Sequence, residues 1–186
     1  MRRCMFIATP TQFVSDILGD GLWHTTSSER FAAINDNNLI MVEPQISDRG
    51  RHKTASGPSN YPYARTLGAV SVFDFAAFDE SEYALLYPVS NWHAFVPIWH
   101  GWTRAIWLKL DRIECGAKVV SGSALLERWR AEKAYAHTLM PRIEAAHIGD
   151  IPLSSISQVL EVIPLARGWE VKEFDFKACQ SIPAPA

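Results

Sequence analysis

The chain has 186 residues, 48% of them apolar and 20% charged, with a formal net charge of -2 at pH 7. That composition excludes a disordered chain and one with a membrane-spanning helix, since no run approaches the roughly 20 consecutive apolar residues a bilayer demands, and it gives no global electrostatic case for nucleic acid as a partner. Cys4, Cys115 and Cys179 are odd in number, far apart and without C-x-x-C spacing, which argues against a disulfide framework or zinc cluster and for a reducing, cytoplasmic setting.

The length suits a single domain, residues 1–186, able to bury roughly 70% of its unfolded surface. Residues 1–20 read as a lead-in with an apolar patch and a weakly amphipathic segment around Phe13, Val14, Ile17 and Leu18. In GLWHTTSSERFAAI, residues 21–34, Leu22 and Trp23 read as the end of a short strand. Thr26 with Glu29 three residues on has the spacing of a capping box, so a helix is expected just after His24. A helix amino end carries unpaired N–H groups and partial positive charge, which suits an anionic ligand beside His24. A hydrogen-bonded structural histidine explains the same stretch. Phe31 and Ile34 form the helix's apolar stripe, the cluster at residues 35–38 ends it, and residues 39–42 follow as a strand.

Residues 43–66 read as one long loop carrying Arg49, Arg51, His52, Lys53 and Arg65, the one concentration of positive charge. Loops of this length are often binding segments. Its guanidinium groups suit phosphate oxygens and Tyr61 or Tyr63 suits a planar ring, with a solvated loop as the competing reading. GAVSVFDF, residues 68–75, alternates as a strand with Val70 and Val72 on one face and Ser71, Phe73 and Phe75 on the other. Residues 79–103 are aromatic-rich and poorly periodic; His93 and His100 have no third partner at a metal-binding spacing, so no metal is expected. AIWLKL, residues 105–110, is the cleanest strand, and residues 123–137 form a helix with Ser123 as cap. Residues 143–145 begin a strand, residues 159–163 close the core, and residues 164–186 are an appendage ending in a disordered tail, SIPAPA.

The chain lacks GxxxxGK[ST], GxGxxG, GxSxG and HExxH, which removes support for P-loop, Rossmann, esterase and zincin chemistry. What remains is an ordered trio: a histidine early, a serine with tyrosines midway, and a glutamate late.

Taken together, LWHTTSSERFAAI, the LIMVEP strand, GAVSVFDF and IEAAHIGDIPLSSISQVLEV resemble the ADP-ribosyltransferase fold, in particular its diphtheria-toxin-like and DNA-modifying-toxin-like branches, over roughly residues 21–163. The resemblance implies an α+β domain with a split β-sheet core and flanking helices. It implies NAD as substrate, ADP-ribose transfer to a protein or nucleic-acid acceptor with release of nicotinamide, and a bacterial toxin with an antitoxin or immunity partner. Residue by residue, His24 matches the family's histidine, with Thr25 beside it; Ser71 lies on the central strand and Glu144 matches the glutamate. Tyr61, Tyr63 or Tyr83 would stack on nicotinamide, and Arg51 and Arg65 would approach the pyrophosphate. Cleaving the ribosyl–nicotinamide bond passes through an oxocarbenium-like state that a carboxylate stabilises, the role expected of Glu144. Other readings are an RNA 2'-phosphotransferase-like enzyme on the same fold, a catalytically degenerate NAD- or partner-binding module, and a two-histidine phosphoesterase. The last has one H-x-T half at His24 and no second.

Overall fold

The computed structural model describes residues 4–51 and 56–174, so His52, Lys53 and the tail SIPAPA lie outside the described residues. The fold is mixed α and β. Its strands are β1 (Cys4–Ile7), β2 (Leu22–Ser27), β3 (Leu39–Ile40), β4 (Ala69–Asp74), β5 (Ala105–Leu110), β6 (Val119–Val120), β7 (Glu144–Ile148), β8 (Ile151–Pro152), β9 (Ile156–Pro164) and β10 (Trp169–Phe174). Eight of them form one sheet in the order β1-β10-β9-β5-β2-β4-β7-β6, and β3 pairs with β8 in a separate ribbon. Every paired strand in both sheets runs antiparallel.

The sheet is buried on both faces, and the period-2 pattern sorts its side chains by type. One face packs aromatic rings: Trp23, Phe73 and Trp107 meet Phe13, Phe75 and Trp92. Trp107 meets Phe13 edge-on at 5.4 Å and Trp23 at 6.5 Å. Two of these indoles find a main-chain acceptor, Trp107 Nε1 donating to Pro97 O at 2.7 Å and Trp23 Nε1 to Leu18 O at 3.0 Å. The other face is aliphatic, with Leu22, Val70, Val72, Ile106, Leu108 and Val159. Composition alone leaves all seven tryptophans free to be core or cleft; Trp23, Trp92 and Trp107 are core.

Several elements differ from expectation. The described parts of the expected lead-in and appendage, residues 4–20 and 164–174, contribute strands to the main sheet, β10 lying between β1 and β9. Strand β2 continues three residues past His24. Helix α2 (Ser28–Asn37) is capped by Ser27, whose hydroxyl accepts from Arg30 N at 3.3 Å, so the cap is one residue later than Thr26 and His24 is a mid-strand residue, not a helix neighbour. Short α1 (Pro10–Phe13) runs into a π-helical turn, Val14–Leu18. The stretch expected as an unstructured loop holds 3-10 turns at Asp48–Gly50 and Pro58–Asn60 and the short α3 (Tyr63–Thr66). Helix α4 (Glu80–Leu86) went unforeseen although Asp79 and Glu82 have capping spacing; Asp79 Oδ1 accepts from Glu82 N at 2.7 Å. After the short α5 (Arg112–Cys115), α6 spans Gly122–Ala131 with Ser121 as cap, two residues before the expected Ser123.

What positions the site is a parting of strands. Strand β2 stays paired with β5 from Leu22 to Ser27, but its pairing with β4 stops after two residue pairs, Leu22 with Asp74 and Trp23 with Phe73. Strand β4 meanwhile follows β7 from Ala69 to Phe73. Beyond Trp23 the sheet is open, and α2, β3 and residues 42–51 close over the opening.

Candidate functional site

The opening holds a cavity of about 450 Å³ lined by His24, Thr25 and Thr26 of β2, Arg30, Ile34 and Asn37 of α2, Leu39 to Val42, Ile46, Arg51, Arg65, and Ala69 to Ser71 of β4. The volume lies in the range of small-molecule sites, and the lining combines an apolar floor with a few polar groups.

The early, middle and late members of the expected trio are joined by hydrogen bonds, His24 and Ser71 lining the cavity and Glu144 lying behind Ser71. Ser71 O accepts from His24 Nδ1 at 3.0 Å, and Ser71 Oγ donates to Glu144 Oε1 at 2.6 Å. The second oxygen, Glu144 Oε2, accepts from Met140 N at 2.9 Å. A carbonyl oxygen can only accept, so the His24 proton sits on Nδ1 and Nε2 keeps a lone pair. Burial pushes the His24 imidazole below its usual value, opposed by the bond to Ser71, so the ring is neutral near pH 7. A neutral ring with a bare Nε2 is an acceptor for a hydroxyl group. The same effect, desolvation, raises the Glu144 carboxyl above the usual range, with the bonds from Ser71 and Met140 pulling the other way.

Glu144 is not the exposed strand-end carboxylate that its residue type favours, being only 5% exposed. Nor does it line the cavity; Ser71 stands between. The turn before it places Arg142 at φ +62°, an uncommon conformation for a side-chain-bearing residue, and packs that residue's carbonyl against Gly122 at the start of α6.

Thr25 contributes a different feature. Its Oγ1 is buried and has no hydrogen-bond partner among the described residues, although buried hydroxyls are ordinarily paired. The hydroxyl belongs to a cavity-lining residue, next in sequence to His24.

Three guanidinium groups border the cavity, those of Arg30, Arg51 and Arg65, and Arg30 is not among the residues expected from the sequence. It donates to Gly50 O and lies 5.9 Å from the Trp102 ring, and burial and then the nearby Arg51 lower its pKa. Arg51 donates to Glu43 Oε2 at 2.6 Å and to Val42 O at 2.9 Å. Arg65 donates to both Glu43 oxygens at 2.8 and 2.9 Å and to Asp48 Oδ1 at 2.9 Å. Those bonds, Glu43 first, hold the Arg65 guanidinium firmly charged. The arginines form the wall while the two carboxylates are not among its lining residues.

The tyrosines divide. Tyr61 lies under Arg65, its ring 3.8 Å from the guanidinium carbon, and donates its hydroxyl to Asp48. It buttresses an arginine, and it is not among the residues lining the cavity. Tyr63 is 1% exposed, packs with Leu125 and Ala146, and donates to Glu132 Oε2 at 2.8 Å. Burial first, and then Glu132, push its phenol up to about 12. Tyr63 is therefore a core residue and is withdrawn as a ring-stacking group. Tyr83 is buried too and bonded to Ser90, at the wall of a second cavity lined also by Asp74, Glu82 and Arg142.

No group of three or more His, Cys, Asp or Glu suited to a metal exists among the described residues. No helix among them is long and apolar enough to cross a membrane. Compared with protein-family models, characterised proteins and solved structures, the chain matches none.

Proposed function

We propose that the cavity binds NAD and that the protein is an ADP-ribosyltransferase, moving ADP-ribose to a macromolecular acceptor and releasing nicotinamide. The observation that carries this reading is the hydrogen-bonded line His24–Ser71–Glu144 at the point where β2 and β4 part. Residues from three distant parts of the sequence are joined in one line whose first two members, His24 and Ser71, line the cavity, in the order the resemblance requires. The split-sheet core that the resemblance implies is supported by the early end of the β2–β4 ladder.

In this reading His24 Nε2 accepts from a ribose hydroxyl, and Arg30, Arg51 and Arg65 hold the pyrophosphate. The apolar floor around Ile34 and Ile40 takes a planar ring. As the ribosyl–nicotinamide bond breaks, its electron pair leaves with neutral nicotinamide and positive charge develops on the ribose ring. In its carboxylate form Glu144, held by two hydrogen bonds, stabilises that charge through its field and keeps Ser71 in place.

The buried position of Glu144 favours a second reading, a module that binds the dinucleotide without turning it over, because a carboxylate raised in pKa and screened by Ser71 is a weak partner for an oxocarbenium ion. One experiment separates the two. The purified protein is incubated with NAD labelled in its adenylate half, in the presence of cell extract, and both free nicotinamide and label in macromolecules are followed. Nicotinamide release with transferred label is expected. Binding by calorimetry with neither product would select the binding module, and no binding would remove both.

A further inference from the structure

Two of the guanidinium groups on the cavity wall are already paired with a carboxylate of the protein itself. Glu43 bonds Arg51 at 2.6 Å and Arg65 at 2.8 and 2.9 Å, so one carboxylate bridges two of the three guanidinium groups on the wall. The partners are unequal in burial: the Arg51 and Arg65 side chains are 16% and 14% exposed, whereas that of Glu43 is 58% exposed. The arginines are fixed parts of the wall and the carboxylate is the end that can leave.

Arg65 does not depend on Glu43 for its aim. Asp48 accepts from its Nη1 at 2.9 Å, Tyr61 lies beneath its plane at 3.8 Å, and the Tyr61 hydroxyl bonds Asp48 in turn. Arg51 keeps a bond to the Val42 carbonyl at 2.9 Å. With Glu43 swung into solvent, both guanidinium groups stay in place and Arg30 remains nearby. An exposed ion pair contributes little, about 0–1 kcal/mol, while a phosphate that meets two or three guanidinium groups makes several charge-assisted bonds.

We propose that Glu43 is an internal competitor for the phosphate groups of the cavity's ligand: it holds Arg51 and Arg65 when the cavity is empty and is displaced when a pyrophosphate enters, while Asp48 and Tyr61 keep Arg65 aimed. This rests on the reading that the cavity binds a phosphate-bearing dinucleotide. Glu43 thereby sets a threshold that favours ligands carrying at least two phosphate charges over singly charged anions.

The test is calorimetric, with the full chain and three probes: inorganic pyrophosphate, ADP and nicotinamide riboside, the last having no phosphate. Glu43→Gln is expected to bind pyrophosphate and ADP up to about fivefold more tightly than wild type, the gain from removing an exposed ion-pair competitor. Its affinity for nicotinamide riboside should be unchanged. Asp48→Asn, which removes the aiming group, should weaken both phosphate probes instead. Circular dichroism and the melting temperature establish that each variant is folded. Unchanged or weaker pyrophosphate binding by folded Glu43→Gln would overturn the proposal and make Glu43 a scaffold of the wall, as would failure of wild type and variant alike to bind either phosphate probe. The transfer reading fails separately: tighter phosphate binding by Glu43→Gln with no nicotinamide release from NAD would leave the competitor role standing and remove the transferase.

Discussion

Ser71 Oγ and Glu144 Oε1 are 2.6 Å apart although 73 residues separate them in the chain. The adjacent strands β4 and β7 create that proximity: Phe73 pairs with Glu144 and Ser71 with Ala146, which makes Ser71 and Glu144 diagonal neighbours on one face. Ser71 thus ties the buried carboxylate to the cavity with its hydroxyl and ties His24 to the strand with its carbonyl. If the protein transfers ADP-ribose, Glu144→Gln should lower the rate of nicotinamide release by about two orders of magnitude with little change in NAD affinity, the pattern of a lost transition-state interaction. Ser71→Ala should fall between wild type and Glu144→Gln. A folded Glu144→Gln protein with the wild-type rate would remove Glu144 from the chemistry.

Thr25→Val tests whether the cavity is built around a ligand. Valine nearly matches threonine in shape and lacks the hydroxyl, whose Oγ1 is buried without a partner among the described residues. Removing an unpaired buried hydroxyl should stabilise the empty protein by about 1 kcal/mol, read as a higher melting temperature. If that hydroxyl bonds the ligand, NAD affinity should drop by about tenfold in the same variant. A variant that is less stable and binds normally would show that Thr25 has a protein partner in solution.

The histidine makes stability depend on acid. Its folded pKa lies below the ordinary 6.5, so the neutral ring contributes stability that is fully present above that value and is lost as pH falls through the folded pKa. Glu144 has the opposite sign: its folded pKa is raised, so the stability it contributes is present at low pH and is lost as pH rises through the raised value. In His24→Asn the side-chain amide can still donate to Ser71 O, and nothing there titrates. The melting temperature of wild type relative to His24→Asn should therefore fall as pH drops below about 6.5, whereas a constant difference from pH 8 to pH 5 would show that His24 is not held neutral.

Gly122→Ala probes the turn that carries Glu144. A Cβ at Gly122 would run into the carbonyl of Arg142, a backbone atom two residues from Glu144, and rigid backbone cannot move aside as a flexible side chain can. The substitution should cost about 1–3 kcal/mol in urea unfolding and shift the Met140–Glu144 hydrogen bond. Gly116→Ala is a comparison, since a Cβ there meets nothing within 4 Å and its penalty comes from φ +46° alone.

Strand alternation made β4 and β5 legible, because a sheet buried on both faces sorts Val70 and Val72 from Phe73 and Phe75 as the sequence alternates, whereas only the start of β7 was legible. The trio was legible through order and resemblance. The tyrosines were not: Tyr61 and Tyr63 are two residues apart in similar surroundings, and what sends one under Arg65 and the other into the core is the position of α6 and β7, which no local pattern encodes. Ser27 prevailed over Thr26 as helix cap because pairing with β5 extends β2 as far as Ser27 opposite Ala105, a tertiary effect on a local signal. Arg30 follows from that shift, since the later helix start places it over the cavity. Strand β10 was hidden by the resemblance, which ends near residue 163, although WEVKEF has the alternation of a strand.

The early end of the β2–β4 ladder has a consequence for how binding would respond to mutation. From His24 to Ser27 one side of β2 is laddered to β5 and the other side is not laddered to β4, so a strand edge runs through the interior of the molecule. Peptide groups on such an edge are hydrogen-bonding positions that every residue type except proline supplies in full. A planar amide docking there would be read by main chain, and alanine substitutions along β2 would leave that recognition intact. Proline at position 25 or 26 would instead remove an N–H from the strand, a class of lesion that side-chain scanning never samples.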